Sequence, residues 1–151
     1  MPAFISFGRF LFAVLFIVAG ASKLFDIAAT AESIKPQLAV LPEVLKTYSA
    51  QVETMTGMLM PQMLAIMAGV IELVCGLMIA LNFGARFFAI LLILFVIVAT
   101  YYQHDFWNQT GAESRNNMIH ALKNLSLIGA LFIIAGIGRG PRQTETSYTD
   151  A

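Results

Sequence analysis

The chain has 151 residues, of which 58% are hydrophobic and 12% are charged, and its mean hydropathy is +0.77. Soluble domains carry about 25% charged residues, so this composition excludes a soluble globular protein and indicates an integral membrane protein. Nine basic and nine acidic residues cancel, which excludes the strongly basic surface that nucleic-acid binding requires.

Four apolar stretches of about 20 residues each can cross the hydrocarbon core of a bilayer as α-helices, which rise about 1.5 Å per residue. They cover residues 3–25, 61–82, 84–103 and 118–137. The sequence therefore predicts an all-α fold, an integral membrane four-helix bundle that forms one domain over residues 1–138. Residues 139–151 are polar and are predicted to form a disordered cytoplasmic tail.

The arginines decide the predicted orientation. Arg9, Arg86, Arg139 and Arg142 all fall on one side of the membrane, and the positive-inside rule makes that side cytoplasmic. Both termini are therefore expected in the cytoplasm. The small residues 19–21 also resemble the cleavage site of a secretory signal, but cleavage would leave three spans and reverse the side favoured by the carboxyl-terminal arginines.

The first outer connection, residues 26–60, is long and contains Pro36 and Pro42, which are expected to break it into pieces. After Pro42, apolar residues recur every three or four positions, and this spacing predicts an amphipathic helix over about 42–60. We expect this helix to lie in the outer membrane interface, where it either anchors in lipid or covers the bundle as a lid.

Glu72 is the only charged residue between Glu53 and Arg86, and it falls near the middle of the second span. Facing lipid would cost the carboxylate several kcal/mol, so Glu72 is expected to face the bundle interior. Small residues on the same helix face would let a neighbouring helix approach closely. These residues are Ala65, Gly69, Gly76 and Ala80. Glu72 either locks two helices together or takes part in proton transfer or ligand binding.

The partner of Glu72 is predicted from depth and side-chain direction. Lys123 lies about six residues, or about 9 Å, inside the fourth span from the outer surface, and Arg9 lies about as deep from the inner surface. Helical side chains lean toward the amino end of their helix, so Glu72 tilts outward, toward Lys123 and away from Arg9. The sequence therefore predicts a Glu72–Lys123 ion pair.

The fourth span carries a polar stripe on one face, which includes Asn116, His120, Lys123 and Asn124. These residue types together are not expected to face lipid, so the stripe is either a structural network or a functional site. Polar residues at other span ends would surround the same outer vestibule. The candidate site for a ligand or quinone consists of Glu72, His120, Lys123, Asn124, Lys23, His104 and Asp105. No catalytic residue can be named.

Other residue types give weaker signals. Cys75 and the two histidines do not have the spacing of metal ligands, so no metal site is predicted. Cys75 is expected to be a small buried hydrophobe. Tyr101, Tyr102 and Trp107 are expected at the level of the lipid headgroups, where aromatic rings are enriched.

Several short motifs follow one another along the chain, most of them at the span ends. They are Gly8-Arg9-Phe10, Gly20-Ala21-Ser22-Lys23-Leu24, Glu72-Leu73-Val74-Cys75-Gly76, Gly84-Ala85-Arg86, His104-Asp105-Phe106-Trp107, Asn116 with His120, and Lys123-Asn124-Leu125. In this order they resemble the DoxX family of small four-helix membrane proteins, from Phe7 to about Gly138. The first outer connection is longer than in the simplest members of that family.

The resemblance implies a bacterial inner-membrane protein with both termini in the cytoplasm. Related proteins are linked to quinone-coupled sulfur oxidation, as the DoxD-like part of thiosulfate:quinone oxidoreductase, and to membrane complexes of oxidative-stress defence. Many members have no known activity, so the resemblance does not decide whether this chain is an enzyme.

Three functions are open on the sequence alone. The first is a membrane subunit or accessory of a redox system, whose vestibule binds a quinone headgroup or docks a partner redox protein; His120 and Glu72 would handle protons. No electron carrier is expected within the chain. The second is a small proton-coupled transporter, acting as a homodimer because four helices are few. The third is a non-catalytic scaffold or assembly protein. In each case the lipid bilayer is a partner.

We predict that the first connection and the carboxyl terminus lie on opposite sides of the membrane. In a Cys75→Ser background, a cysteine replacing Ser33 should react with a membrane-impermeant maleimide on intact cells. A cysteine replacing Ser147 should react only after the cells are permeabilised. The reverse pattern of labelling would show that the arginine count gives the wrong orientation.

Overall fold

The computed structural model describes residues 2–137, and the regular structure in that range is helical. Four helices, α1 (Pro2–Phe25), α4 (Met60–Ala80), α5 (Ala85–Gln103) and α6 (Gly111–Ile137), are long and apolar enough to cross a membrane. The all-α bundle with four spanning helices is therefore confirmed, and the predicted tail at 139–151 lies outside the described residues. The elements are α1 (Pro2–Phe25), α2 (Ile27–Ala39), α3 (Glu43–Thr56), α4 (Met60–Ala80), α5 (Ala85–Gln103), a 3₁₀ turn (Phe106–Asn108) and α6 (Gly111–Ile137).

The first three spanning helices end within two residues of their predicted limits, but α6 begins at Gly111 rather than at residue 118. Residues 111–117 are mostly polar, so hydropathy does not include them in a span, although the helix continues through them. The α4–α5 connection is tight because Asn82 and Gly84 both adopt left-handed backbone conformations, with φ of 57° and 58°.

Helix α2 has no counterpart among the predicted elements. It follows α1 after Asp26, whose carboxylate accepts a 3.0 Å hydrogen bond from the Ala29 backbone N–H and caps the helix. The prediction that Pro36 breaks this connection is wrong, because Pro36 lies inside α2. The helix ends three residues after the proline, so only its last turn carries the missing hydrogen bond. Helix α2 packs mainly against α4.

The predicted amphipathic helix is present as α3, which begins directly after Pro42 and ends at Thr56 instead of about residue 60. Gly57 ends it by adopting a left-handed conformation, with φ of 69°, and its N–H donates to the Glu53 carbonyl at 2.9 Å. None of the α3 residues is buried. Helix α3 therefore lies on the surface of the bundle rather than in its core.

The spanning helices pack in sequence, α1 against α4, α4 against α5 and α5 against α6. We call the end at which α1 and α5 finish the α2–α3 end, and the other the opposite end. All four spanning helices contribute to one apolar core, which lies nearer the opposite end. Its buried residues are Ala13, Phe16, Cys75, Ile79, Ala85, Ala89, Leu92, Ile93, Val96, Leu131 and Ile134. The expectation that Cys75 is a small buried hydrophobe is confirmed.

Glycines bring α1 and α4 into close contact. A Cβ atom on Gly20 would lie 2.5 Å from the Leu73 backbone nitrogen and 2.6 Å from the Gly69 carbonyl oxygen. A Cβ atom on Gly76 would lie 3.0 Å from the Ile17 side chain. The predicted small-residue face of α4 is thus confirmed as a helix-packing surface.

The same contacts set the register of the two helices. Arg9 of α1 hydrogen-bonds Asn82, just beyond α4, whereas Gly20 lies against Leu73, so the helices are antiparallel. Extending this register places the end of α1 near the eighth residue of α4. Helix α4 therefore continues about seven residues, or about 10 Å, beyond α1 toward the α2–α3 end.

We predict that Gly20→Ala strongly destabilises the bundle. The added Cβ would overlap backbone atoms of α4, which cannot move aside as a flexible side chain can, and overpacking of this kind costs about 1–3 kcal/mol or more. Thermal unfolding in mild detergent should show a lower Tm.

Gly8→Ala is the matched control, because no heavy atom of a neighbour lies within 4 Å of the Cβ position there. Alanine is also the better helix former by up to about 1 kcal/mol, so the control should keep or raise the Tm. An unchanged Tm for Gly20→Ala would contradict the close contact between α1 and α4.

Candidate functional site

Four of the seven residues predicted to share one vestibule lie in two separate clusters in the structure. The ion pair, Lys23 with Glu72, lies between α1 and α4 near the middle of the bundle. The histidine cluster lies at the α2–α3 end, between α5 and α6, and consists of His104, Gln109, Asn117 and His120. Within residues 2–137, no hydrogen bond or salt bridge links one cluster to the other.

The ion pair is short and largely removed from solvent. The Lys23 Nζ donates to Glu72 Oε2 at 2.6 Å. The Glu72 side chain is 11% exposed and the Lys23 side chain is 29% exposed. The carboxylate is therefore the more desolvated partner, and the charge-assisted hydrogen bond offsets part of the cost of burying it. Lys23 keeps more side-chain exposure than Glu72, so it is the more accessible member of the pair.

The predicted Glu72–Lys123 pair is wrong. Lys123 is exposed on α6, and α6 packs mainly on α5 rather than on α4. If the spans ended at the same level, Lys23 would lie at the membrane surface, too far from Glu72. The stagger between α1 and α4 instead lowers Lys23 to about the level of Glu72, so the end of α1 supplies the partner.

Two stacked imidazole rings form the centre of the histidine cluster. The rings of His104 and His120 have centroids 5.1 Å apart and planes 11° from parallel. The Asn117 Nδ2 donates to Gln109 Oε1 at 2.6 Å, and Asn117 Oδ1 lies 3.2 Å from His104 Nδ1. This network makes the Asn117 oxygen the acceptor, so His104 Nδ1 donates to it. In neutral His104, Nε2 is then the nitrogen without a hydrogen, and it can accept a hydrogen bond.

Two other predicted site residues make local contacts. The Asn124 Nδ2 donates to Thr100 Oγ1 at 2.8 Å and so links α6 to α5. Asp105 accepts two hydrogen bonds from Asn108 Nδ2, at 2.8 and 3.0 Å, within the α5–α6 connection. Asn124 and Asp105 therefore hold the α5–α6 hairpin together, and none of these three hydrogen bonds involves the ion pair.

The bundle is open along the first half of α6. Residues 111–126 include no buried residue, although His120 lies on the same helix face as the buried residues Leu131 and Ile134. The core-facing side of α6 is therefore covered near the opposite end and uncovered toward the α2–α3 end. His120 and Lys123 are exposed on this part of α6.

Lys23 could have been recognised as the partner from a sequence signal. Gly20 lies one helical turn before Lys23, and Gly69 lies one turn before Glu72, so each charge follows a residue that permits close helix contact. Asn117 and Gln109 were not among the predicted site residues. No spacing rule selects them, because they meet only through the turn between α5 and α6.

We predict that Lys23→Met destabilises the folded bundle, because it leaves the Glu72 carboxylate buried without its cation. Breaking a buried pair from one side costs about 3–5 kcal/mol. Unfolding by heat or by denaturing detergent would measure the loss. A double variant, Lys23→Met with Glu72→Met, should recover much of it, since it removes both charges together.

Two lysine variants serve as controls. Lys35→Met breaks a pair with Glu32 in which both side chains are at least half exposed, and such pairs contribute about 0–1 kcal/mol. Lys123→Met removes the partner expected from the sequence and should also have a small effect. An equal loss for Lys123→Met and Lys23→Met would contradict the observed pairing.

Comparison with known proteins supports the family suggested by the sequence. The DoxX family model matches residues 4–105, a range that includes the ion pair but not α6. The chain is also 36% identical over 84 residues to the inner membrane protein YphA of Escherichia coli (strain K12), covering 56% of this chain and 60% of that protein. The aligned segment therefore spans less than two thirds of this relative. No solved structure is significantly similar to the chain. With its four apolar helices, the chain is a multi-pass protein of the bacterial inner membrane, and it belongs to the DoxX family.

Proposed function

We propose that the protein is a membrane subunit or accessory of a redox system and that the ion pair binds a quinone headgroup. The observation that carries this proposal is the ion pair itself. Lys23 and Glu72 place a donor and an acceptor 2.6 Å apart within an apolar bundle, and Lys23 keeps 29% of its side-chain exposure. In the proposed orientation both termini are cytoplasmic and the α2–α3 end faces outward.

The ion pair offers the polar groups that a quinone headgroup requires, and a bound quinone would accept two electrons and two protons. The Lys23 ammonium has three donors, so it can donate to a carbonyl oxygen while keeping one bond to Glu72. Glu72 can accept a hydrogen bond from a hydroxyl group or hold a proton beside it. Lys23 would therefore orient the ligand, and Glu72 would position a proton at the oxygen that needs it.

The α2–α3 end provides a surface where protons and a partner could arrive. His120 is exposed there and stacks on His104, so the histidine cluster presents imidazole groups to water, and imidazole is the side chain most often used in proton transfer. The electrons would come from a partner redox protein docked on the same side. The resemblance to quinone-linked relatives supports this class of function over proton-coupled transport.

Quinone binding tests the proposal directly. Co-purified quinone is extracted and quantified, and a short-chain quinone analogue is titrated into protein in lipid nanodiscs. We expect Glu72→Gln to weaken binding of the reduced (quinol) form of the analogue, whose hydroxyl donates to the carboxylate, about tenfold or more, since a hydrogen bond to a charged group contributes about 1.5–3 kcal/mol and 1.4 kcal/mol corresponds to a factor of ten.

Two controls separate the site from general effects on the bundle. Lys35→Met removes an exposed cation of the α2–α3 end and should bind the analogue like the wild type. His120→Ala should also keep its affinity, because the structure separates His120 from the ion pair. Equal affinity of the wild type and Glu72→Gln, or no binding by either, would reject the quinone site and leave the ion pair as a structural element of a scaffold protein.

A further inference from the structure

A cavity of about 550 Å³ lies at the α2–α3 end, between the turn that joins α2 to α3 and the connection that joins α5 to α6. Its volume is within the range of about 300–1,000 Å³ that is typical of small-molecule sites. Neither member of the ion pair lines it, and neither histidine does. The cavity is therefore a separate feature from the proposed quinone site.

One wall of the cavity is aromatic. Tyr101, Tyr102 and Trp107 all line it. The ring of Tyr101 lies 5.2 Å from that of Tyr102 and 5.6 Å from that of Trp107, measured between centroids. Tyr101 therefore contacts both other rings, edge to face with Tyr102 and tilted by 34° with Trp107. Aromatic residues are enriched at the membrane interface whether or not a cavity is present. Here the rings line a cavity together with polar side chains, and enrichment at the interface does not account for that.

The charge of the lining selects the kind of ligand. Asp105 is the only charged side chain among the described residues that line the cavity. Its two oxygens share one donor group, the Asn108 amide, and a carboxylate has about four acceptor positions, so acceptor capacity remains. Without a basic residue the cavity does not suit an anion. A carboxylate beside aromatic faces suits a cation.

We propose that this cavity binds an organic ammonium ion. The cation lies against the rings of Tyr101 and Trp107, and Asp105 supplies the counter-charge. The opposite wall includes Pro36, Leu41 and Pro42, whose apolar surfaces favour an alkylated ammonium group over a small hydrated cation. The ammonium group belongs either to a free amine or to the headgroup of a neighbouring lipid.

Trp107 is the only tryptophan of the chain, so its fluorescence reports on the cavity without labelling. Choline chloride is titrated into the full-length protein in nanodiscs of phosphatidylglycerol, with sodium chloride at equal ionic strength as the reference. We expect a saturable change in Trp107 emission. Asp105→Asn should weaken the apparent affinity at least fivefold, and radiolabelled choline should show the same loss by equilibrium binding.

Two controls isolate the positive charge and the position of Asp105. Dimethylbutanol, the neutral isostere of choline, should not produce the saturable change. Glu113→Gln, which removes an exposed carboxylate that does not line the cavity, should titrate like the wild type. Equal responses to choline and dimethylbutanol, equal affinities of wild type and Asp105→Asn, or the absence of any saturable binding would overturn the proposal.

A second lipid composition identifies the source of the ammonium group. If the headgroup of a lipid is the ligand, choline should cause no saturable change in Trp107 emission in nanodiscs that contain phosphatidylethanolamine, because that headgroup already fills the cavity. The Asp105→Asn variant should show no saturable change in these nanodiscs either. If the ligand is a free amine, the titration should be the same in both lipids. These outcomes do not depend on the quinone site, because Glu72→Gln leaves every residue of the cavity in place.

Discussion

The carboxylate of Glu72 must be paired inside an apolar bundle, and this requirement sets how α1 and α4 pack. A buried carboxylate without a partner would cost several kcal/mol. Lys23 can supply the partner only if α1 lies close to α4 at the right height. Gly20 and Gly69, one turn before each charge, allow that approach, and the 2.6 Å contact between Lys23 and Glu72 is its result.

The register of this helix pair divides the bundle into two halves with different properties. Toward the opposite end, side chains from all four spanning helices fill one apolar core. Toward the α2–α3 end, α1 has already finished, and the first sixteen residues of α6 include no buried residue. Polar and aromatic side chains can therefore lie along the uncovered half without disturbing the core. The packed half gives stability, and the open half leaves room for ligands and partners.

The bundle contains groups suited to two different ligands. The ion pair lies deeper, between α1 and α4, and presents an ammonium and a carboxylate to a ligand that needs both a donor and an acceptor. The cavity beside Trp107 lies between two connecting segments and presents aromatic rings with one carboxylate. The first arrangement suits a neutral group that gains protons, and the second suits a permanent cation. Because no residue is common to both, each can be changed by mutation without altering the other.

The sequence by itself determined the four spanning helices, the amphipathic α3, the interior position of Glu72 and the small-residue face beside it. These features depend on local periodicity, on the thickness of the bilayer and on the cost of exposing a charge to lipid, all of which can be read from a single chain. Asp26 is also a typical helix N-cap and could have indicated α2. No helix was predicted there because Pro36 was expected to break the segment.

Only the tertiary structure decided the partner of Glu72, the separation of the polar residues into two clusters and the cavity at the α2–α3 end. Each depends on how far one helix is shifted along another. Hydropathy gives the length of a span but not its position along the membrane normal relative to the neighbouring spans. A shift of about seven residues moves a side chain by about 10 Å. That distance brings Lys23 to Glu72, and with α6 packed on α5 the exposed Lys123 is left outside the pair.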